Sequence, residues 1–274
     1  MRSLTAVLTM VITLLTACRS GGEGVEKPEF DRVVVNTTEH LFGDSAKPAC
    51  HISINMAYVK LASTDEMVDS LNTFILRNVL GFKYRHMQPE EAAKIYAESY
   101  VEDYRKDLEP TYAIDEKNSE AEVEAWYSYY RNVEGNVERY KKNILTYRAY
   151  YDEYTGGLHG IYMTHYINID LRTLSLLTLD DIFAGDYSET LTDLLWEQLM
   201  KDNHVTTHKE LEEMGYATGS ALAPTQNFYL DREGITFYYN VYDIAPYIVG
   251  PVTICLPWET IKSLIDGEAN YLWK

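Results

Sequence analysis

Residues 147–183 read YRAYYDEYTGGLHGIYMTHYINIDLRTLSLLTLDDIF. Two runs rich in tyrosine, isoleucine and threonine flank Gly156, Gly157 and Gly160. That is the pattern of two strands joined by a turn whose backbone needs residues free to take positive φ. A second turn follows, and Asp180–Asp181 reads as an acidic helix start, where carboxylates complement the positive end of the helix dipole. The stretch also carries chemically versatile side chains: His159 in the turn and His165 on a strand.

Outward from this hairpin the pattern is α+β: antiparallel sheet with tyrosine-rich strands, backed by several helices. Upstream, Phe30–Leu41 reads as a strand, and Ala49–Leu61 alternates His51, Ser53 and Asn55 with Ile52, Ile54 and Met56, the period of a half-buried strand. Thr64 is a cap, and Val68, Leu71, Ile75 and Val79 follow at helical spacing until Gly81. A second helix is expected from Pro89 to just before Pro110. Glu124–Val133 and Asn143–Tyr154 look like strands, with Glu134-Gly135-Asn136 as turn chemistry near the first. Downstream, 186–202 is an amphipathic helix, 204–219 a short helix and loop, 228–239 a second hairpin, 252–256 a strand and 258–265 a last helix.

The N-terminus reads as an export signal. Arg2 precedes an apolar run, Leu4–Thr16, that is shorter than the roughly 20 residues a spanning helix needs. The run ends in Leu15-Thr16-Ala17-Cys18, which resembles a bacterial lipoprotein processing site. Cys18 would then be the lipid-attachment residue, residues 1–17 the signal, 18–29 a flexible tether, and the protein an envelope protein held on a membrane outside the cytoplasm. Arg19 is not the aspartate that retains lipoproteins at an inner membrane, which points to the outer membrane in a cell that has one.

The net charge is −18, and removing residues 1–17 takes away one further cation, Arg2. Such a chain repels phosphate, which excludes nucleic acid as a partner and favours basic ones. There are 24 tyrosines against 7 phenylalanines, which suits half-buried strands and contact surfaces alike. Cys50 and Cys255 lie in expected strands. A disulfide between them and two separate buried thiols are both open readings.

Four blocks in order over 150–265 resemble one family. Tyr154-Thr155-Gly156-Gly157-Leu158-His159-Gly160 resembles its tyrosine, Gly-Gly-Ala-His-Gly turn, with Leu158 in place of alanine. Ile169-Asp170-Leu171 with Leu176–Phe183 resembles its strand, turn and Leu-Asp-Asp-Leu-Phe helix start. Phe228–Leu230 with Gly234-Ile235, and Tyr242–Tyr247 with Gly250, Ile254 and Pro257, resemble its C-terminal part. The family is DUF3298, and residues 151–274 are identified with its domain. Strand–helix order makes 30–150 similar to its usual companion, DUF4163. The pair resembles the extracytoplasmic part of an anti-sigma factor that senses lysozyme, and the non-catalytic region of some peptidoglycan deacetylases. The resemblance implies an envelope binding module whose partner is a lysozyme-like protein or peptidoglycan.

The chemistry has competing readings. His159 is either a ligand contact in an exposed turn or a histidine bonded locally to the turn, the commoner role. Thr178-Leu179-Asp180-Asp181 superficially resembles the metal motif of polysaccharide deacetylases, and His204 and His208 have i,i+4 spacing. Ile182 replaces the glycine that motif requires, and a helix start already accounts for both aspartates. The reading is therefore no metal, no cofactor and no catalytic residue. A wall-acting hydrolase or deacetylase using His159, His204 or His208 is the alternative, and it requires those side chains to converge. Tyr127, Tyr129, Tyr147, Tyr150, Tyr154, Tyr162 and Tyr166 form either an aromatic binding face or cross-strand pairs. Tyr154, His159, Tyr162 and Tyr247 are the candidate ligand-binding residues.

Overall fold

The computed structural model describes residues 25–118, 124–141, 143–216 and 222–272. The expected hairpin is present: β4 (Ile144–Tyr154) pairs antiparallel with β5 (Ile161–Asp170), Glu153 opposite Ile161. These strands continue a six-stranded sheet in the order β1 (Glu29–His40), β2 (Ala49–Leu61), β3 (Tyr129–Lys141), β4, β5 and β6 (Ser175–Leu176). Within it β2 and β3 run parallel. The long crossover between them holds α1 (Asp65–Val79), α2 (Pro89–Asn118) and the single turn α3 (Glu124–Tyr127), as a parallel connection requires. Thr64 accepts a hydrogen bond from the Met67 amide at 3.1 Å and caps α1.

A smaller antiparallel sheet, β7 (Phe228–Leu230), β8 (Gly234–Tyr239) and β9 (Val252–Pro257), follows α4 (Ser188–Asp202) and α5 (His208–Glu213), and α6 (Trp258–Ile261) and a 3-10 helix, Gly267–Leu272, come after it. Two cores result. One holds Ile54, Met56, Leu71, Ile75, Ala93, Leu145 and Tyr147 between the large sheet and α1 and α2. The other holds Ile144, Leu191, Leu195, Phe228, Phe237, Ile254 and Ile261 around the small sheet. Successive residues Ile144 and Leu145 thus serve different cores, as alternation along a strand allows. The division expected between residues 150 and 151 falls inside β4.

Asparagines join the sheets. The Asn240 Oδ1 accepts from the Thr164 amide at 2.7 Å, and the Asn227 Oδ1 accepts from the Tyr166 amide at 2.8 Å. Asn227 also donates to the Thr164 carbonyl at 2.8 Å, and Asn168 to the Phe228 carbonyl at 2.7 Å. The Asn227 and Asn240 amides satisfy backbone groups along the β5 edge that β6 leaves unpaired, where an open edge would invite another chain, and Asn168 reaches from β5 to the β7 backbone.

Several elements depart from the sequence reading. Gly135 is no turn. It lies within β3 opposite Ala149, where the buried Tyr147 ring crosses it to donate to the Ala57 carbonyl at 2.7 Å. The expected strand from Glu124 begins as α3, because Tyr127 packs edge-on against Tyr112 at 5.0 Å and donates to Asp115 at 2.6 Å. Helix α2 passes Pro110 and continues to Asn118, its stripe of Tyr104 and Tyr112 staying buried. The last helix stops at Ile261, and Ile265 instead bridges to Phe183. The Cys50–Cys255 bridge is absent: both thiols are free, Cys50 buried on β2 and Cys255 on β9 of the other sheet. Cys18 and residues 1–17 lie outside the described residues. Among those described, no helix is long and apolar enough to cross a membrane.

Candidate functional site

Two loops meet at one end of the hairpin. The first, 155–160, turns on Gly156 and Gly157, with φ of 85° and 96°. A Cβ on Gly156 would stand 2.9 Å from the Trp126 carbonyl oxygen, so glycine is required there for space as well as conformation. Tyr154 holds the loop by donating to the Gly157 carbonyl at 2.8 Å. Leu158 is left at the tip, 95% exposed. The second loop joins β8 to β9. Asp243 accepts from the Asn240 amide at 2.7 Å, Tyr242 takes φ of 71°, and a 3-10 turn over Tyr247–Val249 ends at Gly250 with φ of 82°. Ile248 stands out from it, 92% exposed.

Tyr247 is the centre of the site. Its ring stacks on His159 with centroids 4.1 Å apart and 23° between planes. Tyr162 meets it edge-on at 5.8 Å, and Tyr242 lies tilted at 5.7 Å. His159 Nδ1 is 2.9 Å from the Gly160 carbonyl oxygen, which can only accept, so Nδ1 carries the proton. In the neutral ring Nε2 then accepts from the Tyr242 hydroxyl at 3.3 Å. The histidine is both a local turn residue and one wall of an aromatic cluster. Leu158 and Ile248 extend that cluster as bare apolar surface, the composition of a contact patch.

Three of the four expected ligand-binding residues, His159, Tyr162 and Tyr247, are therefore brought together. Tyr154 is not among them: its ring pairs with Tyr130 at 6.2 Å and its hydroxyl braces the loop. Tyr242, Leu158 and Ile248 were not among the residues expected to bind a ligand. The tyrosines read as one face divide between surfaces: Tyr147 lies in the core, Tyr127 packs on α2, and Tyr166 pairs with Tyr229 at 4.7 Å.

The acid–base candidates lie on separate elements. His208 begins α5 with its ring over Trp196 at 4.6 Å, and His204 follows α4 with φ of 57°. Asp181 accepts from the Thr178 amide and hydroxyl at 2.8 and 2.7 Å and caps a 3-10 turn, Leu179–Asp181, while Asp180 accepts from Tyr187 at 2.6 Å. Among the described residues no three His, Cys, Asp or Glu side chains group to hold a metal ion.

Comparison with known proteins follows from this geometry. Residues 180–259 match the family described as Protein of unknown function (DUF3298), a span that includes the Tyr242–Gly250 loop but not the His159 loop. The crystal structure of a DUF3298 family member from Bacteroides fragilis NCTC 9343 is 54% identical, with a TM-score of 0.84 over 89% of this chain and 96% of that one. A DUF3298 family protein from Pseudomonas aeruginosa PAO1 shares the fold at 14% identity, with a TM-score of 0.64 over 90% of this chain and 97% of that one. The peptidoglycan-N-acetylmuramic acid deacetylase PdaC of Bacillus subtilis (strain 168) is 22% identical over 187 residues, 68% of this chain but only 38% of the enzyme's length.

Proposed function

The chain belongs to the DUF3298 family, and from that premise we propose a cell-envelope protein, lipid-anchored at Cys18, whose folded part binds a partner without catalysing a reaction. The partner is a basic, lysozyme-like protein or cell-wall glycan. Residues 30–150 serve as the DUF4163-like half and 151–274 as the DUF3298 half. The observation that carries the reading is the cluster of Tyr247, His159, Tyr162 and Tyr242 beneath exposed Leu158 and Ile248. Rigid aromatic rings beside bare aliphatic tips, locked by glycine turns, supply the central anchors that dominate protein interfaces. A net charge of −18 speeds encounter with a cationic partner and makes the on-rate fall with salt.

Calorimetric titration with lysozyme, and separately with peptidoglycan fragments, tests this. Lysozyme binding that weakens about thirty-fold in Tyr247→Ala, the equivalent of about 2 kcal/mol at an interface anchor, supports the site. Absence of binding to both titrants refutes the partner assignment. The anchor is tested separately: Cys18→Ala moves the protein from the membrane to the soluble fraction.

The alternative, an envelope hydrolase or deacetylase, draws on the similarity to PdaC. Stoichiometric zinc in the purified protein, or deacetylation of peptidoglycan lost in His159→Ala, would favour it over the binding reading.

A further inference from the structure

We infer that the cleft between α2 and the start of β3, which borders the 155–160 loop at Thr155 but is not lined by the Tyr247 cluster, is a second binding site, and that it takes an uncharged saccharide ring. The cleft has a volume of about 420 Å³ and is open to solvent on one side. That lies within the roughly 300–1,000 Å³ of small-molecule sites. Its walls are Tyr84, Tyr96, Tyr100, Tyr104, Tyr129 and Arg131. Tyr96, Tyr100 and Tyr104 are spaced four apart on α2, so one helix face presents three rings in a row. Tyr84 stands edge-on to Tyr96 at 5.5 Å, and Tyr129 lies tilted against Tyr104 at the same separation.

Tyr100 shows what the cleft lacks. It is only 9% exposed, and among the described residues it holds the buried side-chain oxygen without a hydrogen-bond partner. Two of its neighbours are engaged: Tyr104 donates to the Tyr127 carbonyl at 2.8 Å, and Arg131 donates to the Tyr96 hydroxyl at 3.0 Å. A buried hydroxyl left unmet is costly, and native interiors rarely tolerate it. Burial also pushes the Tyr100 phenol well above its usual range, so it stays a neutral group able both to donate and to accept. The oxygen is closed off in this conformation, so a ligand hydroxyl or amide completes both roles only once the neighbouring rings shift to bare it.

Charge argues against an anionic ligand. Arg131 lies over the Tyr100 ring at 4.8 Å, but its guanidinium is already committed to Glu153, with Nε 2.7 Å from the carboxylate. Lys83 lies over Tyr84 at 4.8 Å, and the exposed carboxylates of Asp103 and Asp107 line the same cleft. The lining therefore holds no surplus positive charge for an anion. What remains is flat apolar ring surface for C–H faces, one unmet hydroxyl at the bottom and carboxylate acceptors along α2. That set matches a sugar ring with its hydroxyls on the edge and its C–H bonds on the face.

The test is ligand-observed saturation-transfer NMR on the full folded chain with N,N′-diacetylchitobiose and cellobiose as neutral probes and glucose 6-phosphate as the anionic one. The expected result is saturable binding of a neutral disaccharide, weakened about tenfold or more in Tyr100→Phe, with the phosphorylated sugar bound more weakly still. Tyr100→Phe removes an atom that has no protein partner, so its melting temperature equals or exceeds that of the parent. A drop in both binding and stability would signal a merely structural hydroxyl. Tyr247→Ala leaves saccharide binding unchanged, which separates this site from the loop cluster. No binding of either neutral sugar at tens of millimolar, equal binding of the anion, or full affinity in Tyr100→Phe each overturns the inference.

Discussion

Gly135→Ala tests the architecture most sharply, because the added methyl has nowhere to go. An ideal Cβ at this position would stand 2.1 Å from the Tyr147 hydroxyl oxygen, 2.9 Å from its Cζ and 2.8 Å from the Met56 Cβ. The backbone at Gly135 has ordinary extended φ, so conformation is not the obstacle. Space is. Met56 Cβ is fixed by the parallel ladder that pairs Met56 with Gly135, and the Tyr147 ring is fully buried. Overpacking of this kind costs about 1–3 kcal/mol. If the ring swings away it also strands the Ala57 carbonyl, about 1–3 kcal/mol more. The loss of unfolded-state entropy on Gly→Ala returns about 0.4–1 kcal/mol. The net expectation is a destabilisation of about 1–6 kcal/mol, set against the roughly 5–15 kcal/mol a domain holds. Urea unfolding followed by tyrosine fluorescence measures it. Tyr147→Phe in the same background recovers only part of the loss, since Cζ and Met56 still crowd the methyl. A Gly135→Ala protein within about 0.5 kcal/mol of the parent would show that the ring does not cross this strand as described.

Three further outcomes follow from the same structure. Asp170 accepts from the Arg172 side chain and from Tyr271, at 3.0 and 2.9 Å; burial alone would raise its carboxyl, but the Arg172 and Tyr271 hydrogen bonds outweigh it and hold the group below the usual carboxylate range. Its stabilisation is therefore fully present above the unfolded value of about 3.9 and lost as pH falls through the lower folded value. Asp170→Asn should be less stable at pH 7, by on the order of 1–3 kcal/mol, with the difference shrinking below about pH 4 in parallel melts; a pH-independent difference would refute the pairing. Asn240→Ala should speed hydrogen exchange at the Thr164 amide and Asn227→Ala at the Tyr166 amide, each more than at Leu145; uniform exchange would mean the β5 edge is closed some other way. Burial pushes the Cys50 thiol up to about 11 and raises that of Cys255, so iodoacetamide at neutral pH should modify Cys50 only after unfolding. Both thiols should react in denaturant without reductant, and a pair that needs reductant would restore the disulfide reading.

The parts visible in the sequence are those set by neighbours in the chain. Glycines within a run of alternating strand residues sufficed for the β4–β5 hairpin, and Thr64 followed by acidic residues sufficed for α1. Gly135 was misread because Glu-Gly-Asn is genuine turn chemistry in isolation. Its position in a strand is imposed by Tyr147, which reaches across from β4. Likewise Pro110 argues locally for a helix end, while the burial of Tyr112 beyond it argues the opposite and prevails. At the loop site His159 and Tyr247 stood out as residue types, but their stacking joins segments distant in the chain. Leu158 and Ile248 carry no local sign that they would be left bare. The row of Tyr96, Tyr100 and Tyr104 on α2 was not singled out in the sequence, and only the fold shows a cleft on it and an unmet hydroxyl inside.

The sharing of the β4–β5 hairpin between two cores has a bearing on modularity. Ile144 packs with the small-sheet core while Leu145, Tyr147 and Ala149 pack with the other, and Asn227 and Asn240 fasten the far edge of β5. A gene cut between residues 150 and 151 would split a strand on which both halves depend, leaving two fragments with raw apolar faces. The smallest piece that can be shuffled, fused or grafted intact is thus the whole of the region from β1 to Leu272, whose Ile265, Ala269 and Leu272 complete the small-sheet core. The Bacteroides and Pseudomonas structures each cover about nine-tenths of this chain. Lineages that carry this fold beside other enzymes or anchors would have to move it as one indivisible cassette.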